Sequence, residues 1–190
     1  MLLMKLCKDE MSAVICHLAN ISFTSGQFPT SMRTWLVTPL LKKPGLDVDL
    51  SLICLHSLKI LERLALARLK PHITSSRNYC PLQSAYRQLH STETALMKIV
   101  DDMLTAMDRG HAVTVIGLQM SSAFDAICHH TLIDRLQSDF GFTGTCLQWI
   151  TSYLSDRSSS VRVNSTASES VSANFGVPQG SVLGPVLFTV

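Results

Sequence analysis

The sequence lacks several patterns that would place a 190-residue chain in a broad class at once. Its six cysteines form no Cys-x-x-Cys pair, which argues against a zinc site and against a redox motif. No apolar run is long enough to span a bilayer, so no membrane partner is expected. Charged residues make up only 16% of the chain and the net charge is +2, so any phosphate-binding field must come from local clusters.

Apolar residues are plentiful instead. They make up 46% of the chain, which favours a globular fold over disorder. A chain of this length can bury one good core or parts of two small subdomains. The cysteines follow no repeating interval, and reduced thiols in an intracellular protein, nuclear or cytoplasmic, are the better interpretation.

Two stretches organise the rest of the chain. The first is residues 112–120, Ala-Val-Thr-Val-Ile-Gly-Leu-Gln-Met, followed by Ser-Ser-Ala-Phe-Asp. Because it is apolar, rich in β-branched residues and free of proline, it predicts a strand buried on both faces. The polar residues after it predict a turn into a helix. An enzyme built this way places reactive groups at the carboxyl end of the strand, where the neutral amide Gln119 stands.

The second stretch reads Gly-Val-Pro-Gln-Gly-Ser-Val-Leu-Gly-Pro from Gly176 to Pro185. Together the two stretches resemble the reverse transcriptase domain of non-LTR (LINE-type) retrotransposons. In that family the strand normally ends Leu-Asp-Leu-Ser-Ala-Ala-Phe-Asp, and the later motif is identical to residues 176–185 here. The resemblance implies an α/β (α+β) fold, with partial polymerase fingers and palm of a right-hand reverse transcriptase, lacking the C-terminal palm hairpin and thumb.

The same resemblance implies a division into a fingers-like helical region with short strands, residues 1–110, and a partial palm, residues 111–190. The partial palm would hold the central strand and the Pro-Gln-Gly motif. Where the family carries Asn-Tyr-Arg-Pro-Ile-Ser, residues 47–57 differ. A deletion of roughly a dozen residues, within the usual range of loop lengths, explains this best and would remove a strand and a family arginine.

The apolar pattern predicts the individual elements. Helical spacing indicates helices over residues 2–21, 58–71, 130–140 and 144–154, and another that begins after the N-cap Ser91 and ends at Gly110. Trp149 and Tyr153, four residues apart in the last of these helices, are predicted to pack in the core. A short strand is predicted at 35–41, and residues 161–164 and 171–175 indicate a hairpin around a serine-rich turn.

The chemistry implied by the resemblance is nucleotide addition with two divalent ions. Mg²⁺ serves the active family, and it prefers carboxylate oxygens as ligands. The family places one Asp where Gln119 stands, and two more in a Tyr-x-Asp-Asp hairpin that would follow Val190. No catalytic residue is therefore intact, no metal ligand is expected, and no cofactor is predicted for this chain.

Some residues on the substrate side match the family. Phe124 matches the steric gate that favours deoxyribose, Gln179 matches a residue that contacts the incoming nucleotide, and Gly180 would let the backbone approach it closely. Asp125 matches a family Asp that is not a metal ligand, and capping of the next helix is its favoured role. Tandem His129 and His130 are poorly placed to bind one ion together.

Six basic side chains are candidates for nucleic-acid contacts. The alternatives are a solvated turn for the first two, a solvated helix face for the next three, and a surface ion pair for the last. They are Lys42, Lys43, Lys59, Arg63, Lys70 and Arg87.

Two functions follow from the resemblance. One is a reverse transcriptase domain whose ancestral RNA-directed DNA polymerase activity is lost, with weak or lost binding of an RNA/DNA template-primer. The alternative is a non-catalytic module that binds nucleic acid or protein. Without the palm hairpin, residues 113–118 and 182–188 are expected to lack cover, so a partner chain is expected over the truncated palm.

Overall fold

A computed structural model of the protein describes residues 8–41, 48–53, 56–120, 122–163, 166–178 and 180–190. Lys42 and Lys43 and the nucleotide candidate Gln179 lie outside the described residues. The described helices are α1 (Lys8–Ser25), α2 (His56–Ser75), α3 (Thr92–Asp108), α4 (His129–Ser138), α5 (Gly144–Leu154) and α6 (Gly184–Phe188), and a 3-10 turn covers Thr30–Met32. The described strands are β1 (Thr34–Leu41), β2 (Val48–Ile53), β3 (Ser158–Val163), β4 (Thr166–Ala167) and β5 (Val171–Ser172). The predicted helices are confirmed over the described residues, with their other ends shifted by a few residues; residues 2–7 of the first predicted helix lie outside the described residues.

The strands form one mixed sheet with the order β2-β1-β3-β4, and β5 also pairs with β3. β1 is antiparallel to β2 and parallel to β3, with Thr34 opposite Ser158. β3 is antiparallel to β4 and β5, so strands lie where the hairpin was predicted, but its pairing is wrong: residues 162–163 pair with 166–167, and residues 171–172 pair with 158–159. Asn164 lies outside the described residues. Within residues 47–57, β2 pairs with β1 from Leu36 to Leu41. The deletion predicted there, relative to the family, stays a prediction.

The core lies among the helices. Trp149 and Tyr153 on α5 stack with their ring centroids 5.8 Å apart, and Phe28 meets Tyr153 edge-on at 5.1 Å. This confirms the core role predicted for both α5 aromatics. The same cluster contains buried side chains of α2, α4, α5 and α6. Residues on both sides of the predicted boundary at 110 thus share one core, and the division into fingers and palm stays a prediction.

Residues 92–120, which we call the exposed arm, contrast with this core. Its helix α3 starts as predicted: Ser91 Oγ accepts the N–H of Thr94, and Thr94 Oγ1 accepts the N–H of Ser91. No side chain of α3 is buried. Among the described residues, no helix is both long and apolar enough to cross a membrane.

The predicted buried strand at 112–120 is wrong. These residues have no strand partner among the described residues, and Ile116 and Leu118 are 78% and 90% exposed. A doubly buried strand needs hydrogen-bonding neighbours on its edges and cover on both faces, and the described sheet is built from β1 to β5 instead. β-Branched composition alone supplies neither.

The expectation that residues 182–188 lack cover is also wrong. Leu183, Val186 and Leu187 are buried in the common core. The short helix α6 turns these side chains inward, and Pro185 stands in its first turn, where a missing N–H costs nothing. Of the two segments predicted to lack cover, residues 182–188 are therefore packed, and only residues 113–118, in the exposed arm, expose their apolar side chains.

Candidate nucleotide site

The two stretches singled out in the sequence meet in the structure. The N–H of Gly176 donates to the carbonyl of Ile127 at 2.8 Å, and the N–H of Val177 donates to the carbonyl of Phe124 at 3.0 Å. His129 adds a third link, because its Nε2 lies 2.7 Å from the carbonyl oxygen of Gly176. The start of the Pro-Gln-Gly motif is therefore fixed to the turn that follows the arm.

Gly176 is required at this joint. Its φ is +80°, and a Cβ there would lie 2.9 Å from Cα of Asp125 and 3.0 Å from the carbonyl oxygen of Phe124. Asp125 itself is exposed on a turn. The helix-capping role predicted for Asp125 is wrong, since the N-cap of α4 is Cys128, which makes no side-chain capping bond.

Phe124 stands among aromatic rings rather than alone. It is half-buried, with its ring centroid 5.3 Å from that of Phe188 and 6.4 Å from that of Tyr86. Tyr86 is 52% exposed and holds a φ of +60°, which is rare for a residue with a side chain. The sequence analysis missed Tyr86, for which the only signal is an aromatic residue beside Arg87.

Gly180 occupies the turn between Pro178 and Ser181. The N–H of Ser181 donates to the carbonyl of Pro178 at 2.9 Å, and Gly180 has a φ of +79°. A Cβ on Gly180 would meet no heavy atom within 4 Å. Backbone conformation therefore explains this glycine within the protein, and the space beside it is open.

Gln119 borders a cavity of about 620 Å³ next to α4 and α6. The other lining residues are Met120, Ala123, Ala126, Ile127, Cys128, Thr131, Leu132, Arg135, Leu187, Phe188 and Val190. This set offers one amide oxygen, one hydroxyl and a cationic guanidinium but no carboxylate. Mg²⁺ prefers several hard, mostly anionic oxygens, so the residues described around Gln119 do not fit a catalytic metal pair. No group of three His, Cys, Asp or Glu residues suited to a metal occurs in the described part of the chain.

The three basic candidates on α2 differ in their surroundings. Lys70 Nζ lies 3.4 Å from the carbonyl of Tyr86 and so borders the aromatic group around Phe124. Arg63 is exposed, and Lys59 lies near the buried carboxylate of Glu62. Arg87 donates to the carbonyl of Pro81 at 2.7 Å, a local bond that differs from both roles predicted for it.

Glu62 is a buried acidic residue that contacts the turn beside Gly180 and that the sequence analysis passed over. It has no exposed surface, yet Oε1 accepts the hydroxyl of Tyr153 at 2.7 Å and Oε2 accepts the N–H of Val182 at 2.7 Å. Burial raises the pKa of Glu62 above its ordinary 4.5, against the lowering effect of both bonds and of Arg157. Burial also raises the pKa of Tyr153 well above 10, so its hydroxyl stays protonated and donates. The only sequence signal was a charged residue on the inner face of α2.

Comparison with known proteins identifies the family of the chain. Residues 42–190 match the profile of the family described as reverse transcriptase (RNA-dependent DNA polymerase). The match covers well over half of the chain, so the chain belongs to that family. This confirms the resemblance predicted from the two motifs.

The relatives are polymerases of Drosophila mobile elements. The probable RNA-directed DNA polymerase from transposon BS of Drosophila melanogaster is 35% identical over 134 residues, covering 70% of this chain and 14% of that protein. The RNA-directed DNA polymerase from mobile element jockey of Drosophila funebris is 30% identical over 191 residues, covering 98% of this chain and 21% of that protein. The chain thus spans between about a seventh and about a fifth of the length of these relatives. It is a reverse transcriptase domain related to those of non-LTR transposons.

Proposed function

We propose that the chain is a fingers-and-palm part of a reverse transcriptase domain that has lost nucleotidyl transfer and keeps the nucleotide side of the site. The observation that carries this is the cavity at Gln119, which has no carboxylate among its lining residues. In-line phosphoryl transfer relies on metal ions to neutralise charge on the phosphates and to activate the attacking oxygen. An amide in place of a carboxylate removes one negative charge from the metal site, and Arg135 adds a positive one.

The nucleotide side comprises Phe124, Gln179 and Gly180. It is supported by the hydrogen bonds that fix the Gly176 joint to the turn at Phe124, and by the open space beside Gly180. Lys70 adds a cation at the edge of the aromatic group. An RNA/DNA template-primer would bind weakly, because the net charge of the chain is only +2 and counterion release scales with the number of phosphates contacted.

The test is a chimera. In the jockey polymerase of Drosophila funebris, the segment that matches this chain is replaced by the chain itself, with either Gln119 or Gln119→Asp. Primer extension on a homopolymer RNA template with Mg²⁺ should be undetectable with Gln119 and measurable with the Asp variant. The parent polymerase is the positive control, and Arg135→Gln alone is the matched control, because it alters the charge of the same cavity without adding a carboxylate.

Two results of the chimera experiment would contradict different parts of the proposal. Extension by the Gln119 chimera that disappears in its Phe124→Ala variant would refute the loss of activity. Activity of neither chimera, with both folded by circular dichroism, would show that Gln119 is not the deciding lesion.

A second candidate function is a protein-interaction module, and the exposed arm favours it. Contiguous exposed apolar surface beyond a few hundred Å² is uncommon on monomeric soluble proteins and marks interaction sites. A partner chain would bury the apolar faces of α3 and residues 113–120. Sedimentation of the 190-residue protein over a range of concentrations should show mass rising with concentration, and a monomer throughout would contradict this candidate.

A further inference from the structure

The carboxylate of Glu62 is an unusual group in an apolar core. It lies on α2 between the buried Leu61 and Ala65, and no part of it reaches solvent. Isolated burial of a carboxylate is costly, and the cost is offset only by well-placed donors and charges. An apolar residue of similar size would serve stability at least as well. The position of its donors therefore indicates what the carboxylate does.

Both oxygens of Glu62 are directed at elements that flank the candidate nucleotide site. Oε2 accepts the backbone N–H of Val182, two residues after Gly180, at 2.7 Å. Oε1 accepts the Tyr153 hydroxyl, which also hydrogen-bonds to the side chain of Ser181. Two successive residues of the turn are thus connected, one directly and one through Tyr153, to a single carboxylate on another helix.

The surroundings fix this carboxylate in place. The guanidinium carbon of Arg157 lies 4.1 Å from the centroid of the Tyr153 ring, and its charge acts on Glu62 together with that of Lys59. On its far side, the turn continues into α6 through Ser181, whose Oγ accepts the N–H of Gly184 at 2.9 Å. A Cβ on Gly184 would lie 2.6 Å from that Oγ, so the close turn depends on glycine there.

We propose that Glu62 is a positioning residue for the nucleotide site: through Val182 and Tyr153 it holds residues 180–182 where the open side of Gly180 would face an incoming nucleoside triphosphate. The inference rests on the nucleotide side of the proposed function and is independent of the loss of catalysis. A carboxylate suits this task because it accepts from two donors at once. An amide in its place presents an N–H₂ to one of them, so one donor loses its acceptor.

The experiment compares Glu62→Gln with Ser152→Ala in the 190-residue protein. Ser152 is a buried control on α5: its Oγ accepts the N–H of Phe28 at 2.9 Å and an N–H of Arg33 at 2.8 Å and donates to Gln27, and none of these partners belongs to the turn. Both variants should lower the thermal midpoint, whereas only Glu62→Gln should release the turn. The readouts are amide hydrogen exchange at residues 181–183 and binding of a fluorescent dATP analogue with Mg²⁺ and a short RNA–DNA hybrid.

We expect Glu62→Gln to raise the rate of amide exchange at Val182. It should also weaken binding of the dATP analogue by about tenfold, which corresponds to the loss of one charge-assisted hydrogen bond. Ser152→Ala should leave both unchanged. Equal effects of the two variants, faster exchange without weaker binding, or no binding by the wild-type protein would each overturn the proposal. Primer extension by the wild-type protein would instead refute the loss of catalysis and leave this result standing.

Discussion

Helices α3 and α4 are both amphipathic, yet the apolar face of α4 is buried in the core and that of α3 is exposed. On α4, Leu136 has no exposed surface and packs in the core. On α3, Leu104 is 55% exposed, like the other large apolar side chains of the arm. An apolar stripe therefore specifies a helix and the face that can be buried, and a second surface decides whether it is buried.

Outside the exposed arm, in what we call the packed region, several elements provide a surface that covers the apolar face of a helix. Phe140 and Phe142 follow the end of α4, and His72 of α2 contacts both: its Nε2 lies 2.7 Å from the carbonyl oxygen of Phe140, and its ring lies edge-on to Phe142 at 4.9 Å. In the exposed arm, the polar face of α3 has the ion pair between Lys98 and Asp102. Exposed pairs of this kind contribute little to stability.

The largest effect should separate two leucines. Leu136→Ala removes a fully buried side chain and should lower the free energy of unfolding by about 2–5 kcal/mol. Leu104→Ala, the matched change on α3, should stay within about 0.5 kcal/mol, as surface substitutions do. Chemical denaturation followed by circular dichroism measures both. Similar losses for the two variants would break the comparison, because they would show that the arm is covered in solution.

A second pair examines the joint between the arm and the packed region. Gly176 and Gly180 share a φ near +80°, so alanine at either should cost about 1–2 kcal/mol in backbone strain. Only at Gly176 does the new Cβ meet backbone, 2.9 Å from Cα of Asp125, which should add about 1–3 kcal/mol. Denaturation midpoints test this. Equal costs at the two positions would mean that the turn at Asp125 yields to the Gly176 side chain.

Two carboxyls, one in each region, should respond to pH in opposite directions. The folded-state pKa of Glu62 is raised by burial, so the native state holds a proton that the unfolded state releases above pH 4.5. Its contribution to stability therefore falls as pH rises through the window between 4.5 and the folded pKa, with a slope of at most about 1.4 kcal/mol per unit. A pH series of wild type against Glu62→Gln should show this decline.

Glu93 at the start of α3 provides the opposite case. A hydrogen bond from the Ser91 side chain lowers its pKa below 4.5, so its contribution is present above that pH and is lost as pH falls through the folded pKa. Glu93→Gln against wild type should therefore differ most at neutral pH. The same direction of change for both carboxyls would contradict the assignment of Glu62 to a dry interior.

Secondary-structure elements could be predicted where residues close in sequence determine them. Ser91 caps α3, and the stripe with Trp149 and Tyr153 gives α5, because capping groups and helical periodicity act within a few residues. The strand at 112–120 failed because its neighbours lie far away in sequence and periodicity carries no information on them. The error at 182–188 has the same cause: its cover comes from the common core.

In the candidate site, too, the local motif could be predicted from the sequence, whereas the contacts between distant residues could not. The motif from Gly176 to Pro185 identified the family, and the structure joins it to Phe124. The contact of Lys70 with Tyr86 and the bond from Val182 to Glu62 span 16 and 120 residues. Pairings over such separations follow from packing. For this reason the role of a buried charge such as Glu62 is not apparent from its neighbours in sequence.

The smallest change in the free energy of unfolding should come from a substitution at the end of the exposed arm. The same substitution should nevertheless reduce self-association. Leu118 is 90% exposed, so Leu118→Lys should change the free energy of unfolding by less than about 0.5 kcal/mol. The added charge interrupts the exposed apolar run that ends at Met120, and binding of a hydrophobic dye should fall together with self-association at high concentration. Lys substituted for the similarly exposed Leu89, outside the arm, is the control at 92% exposure. If Leu89→Lys lowered association as much as Leu118→Lys, the arm would have no special part in association, and the contrast between the two regions would concern packing alone.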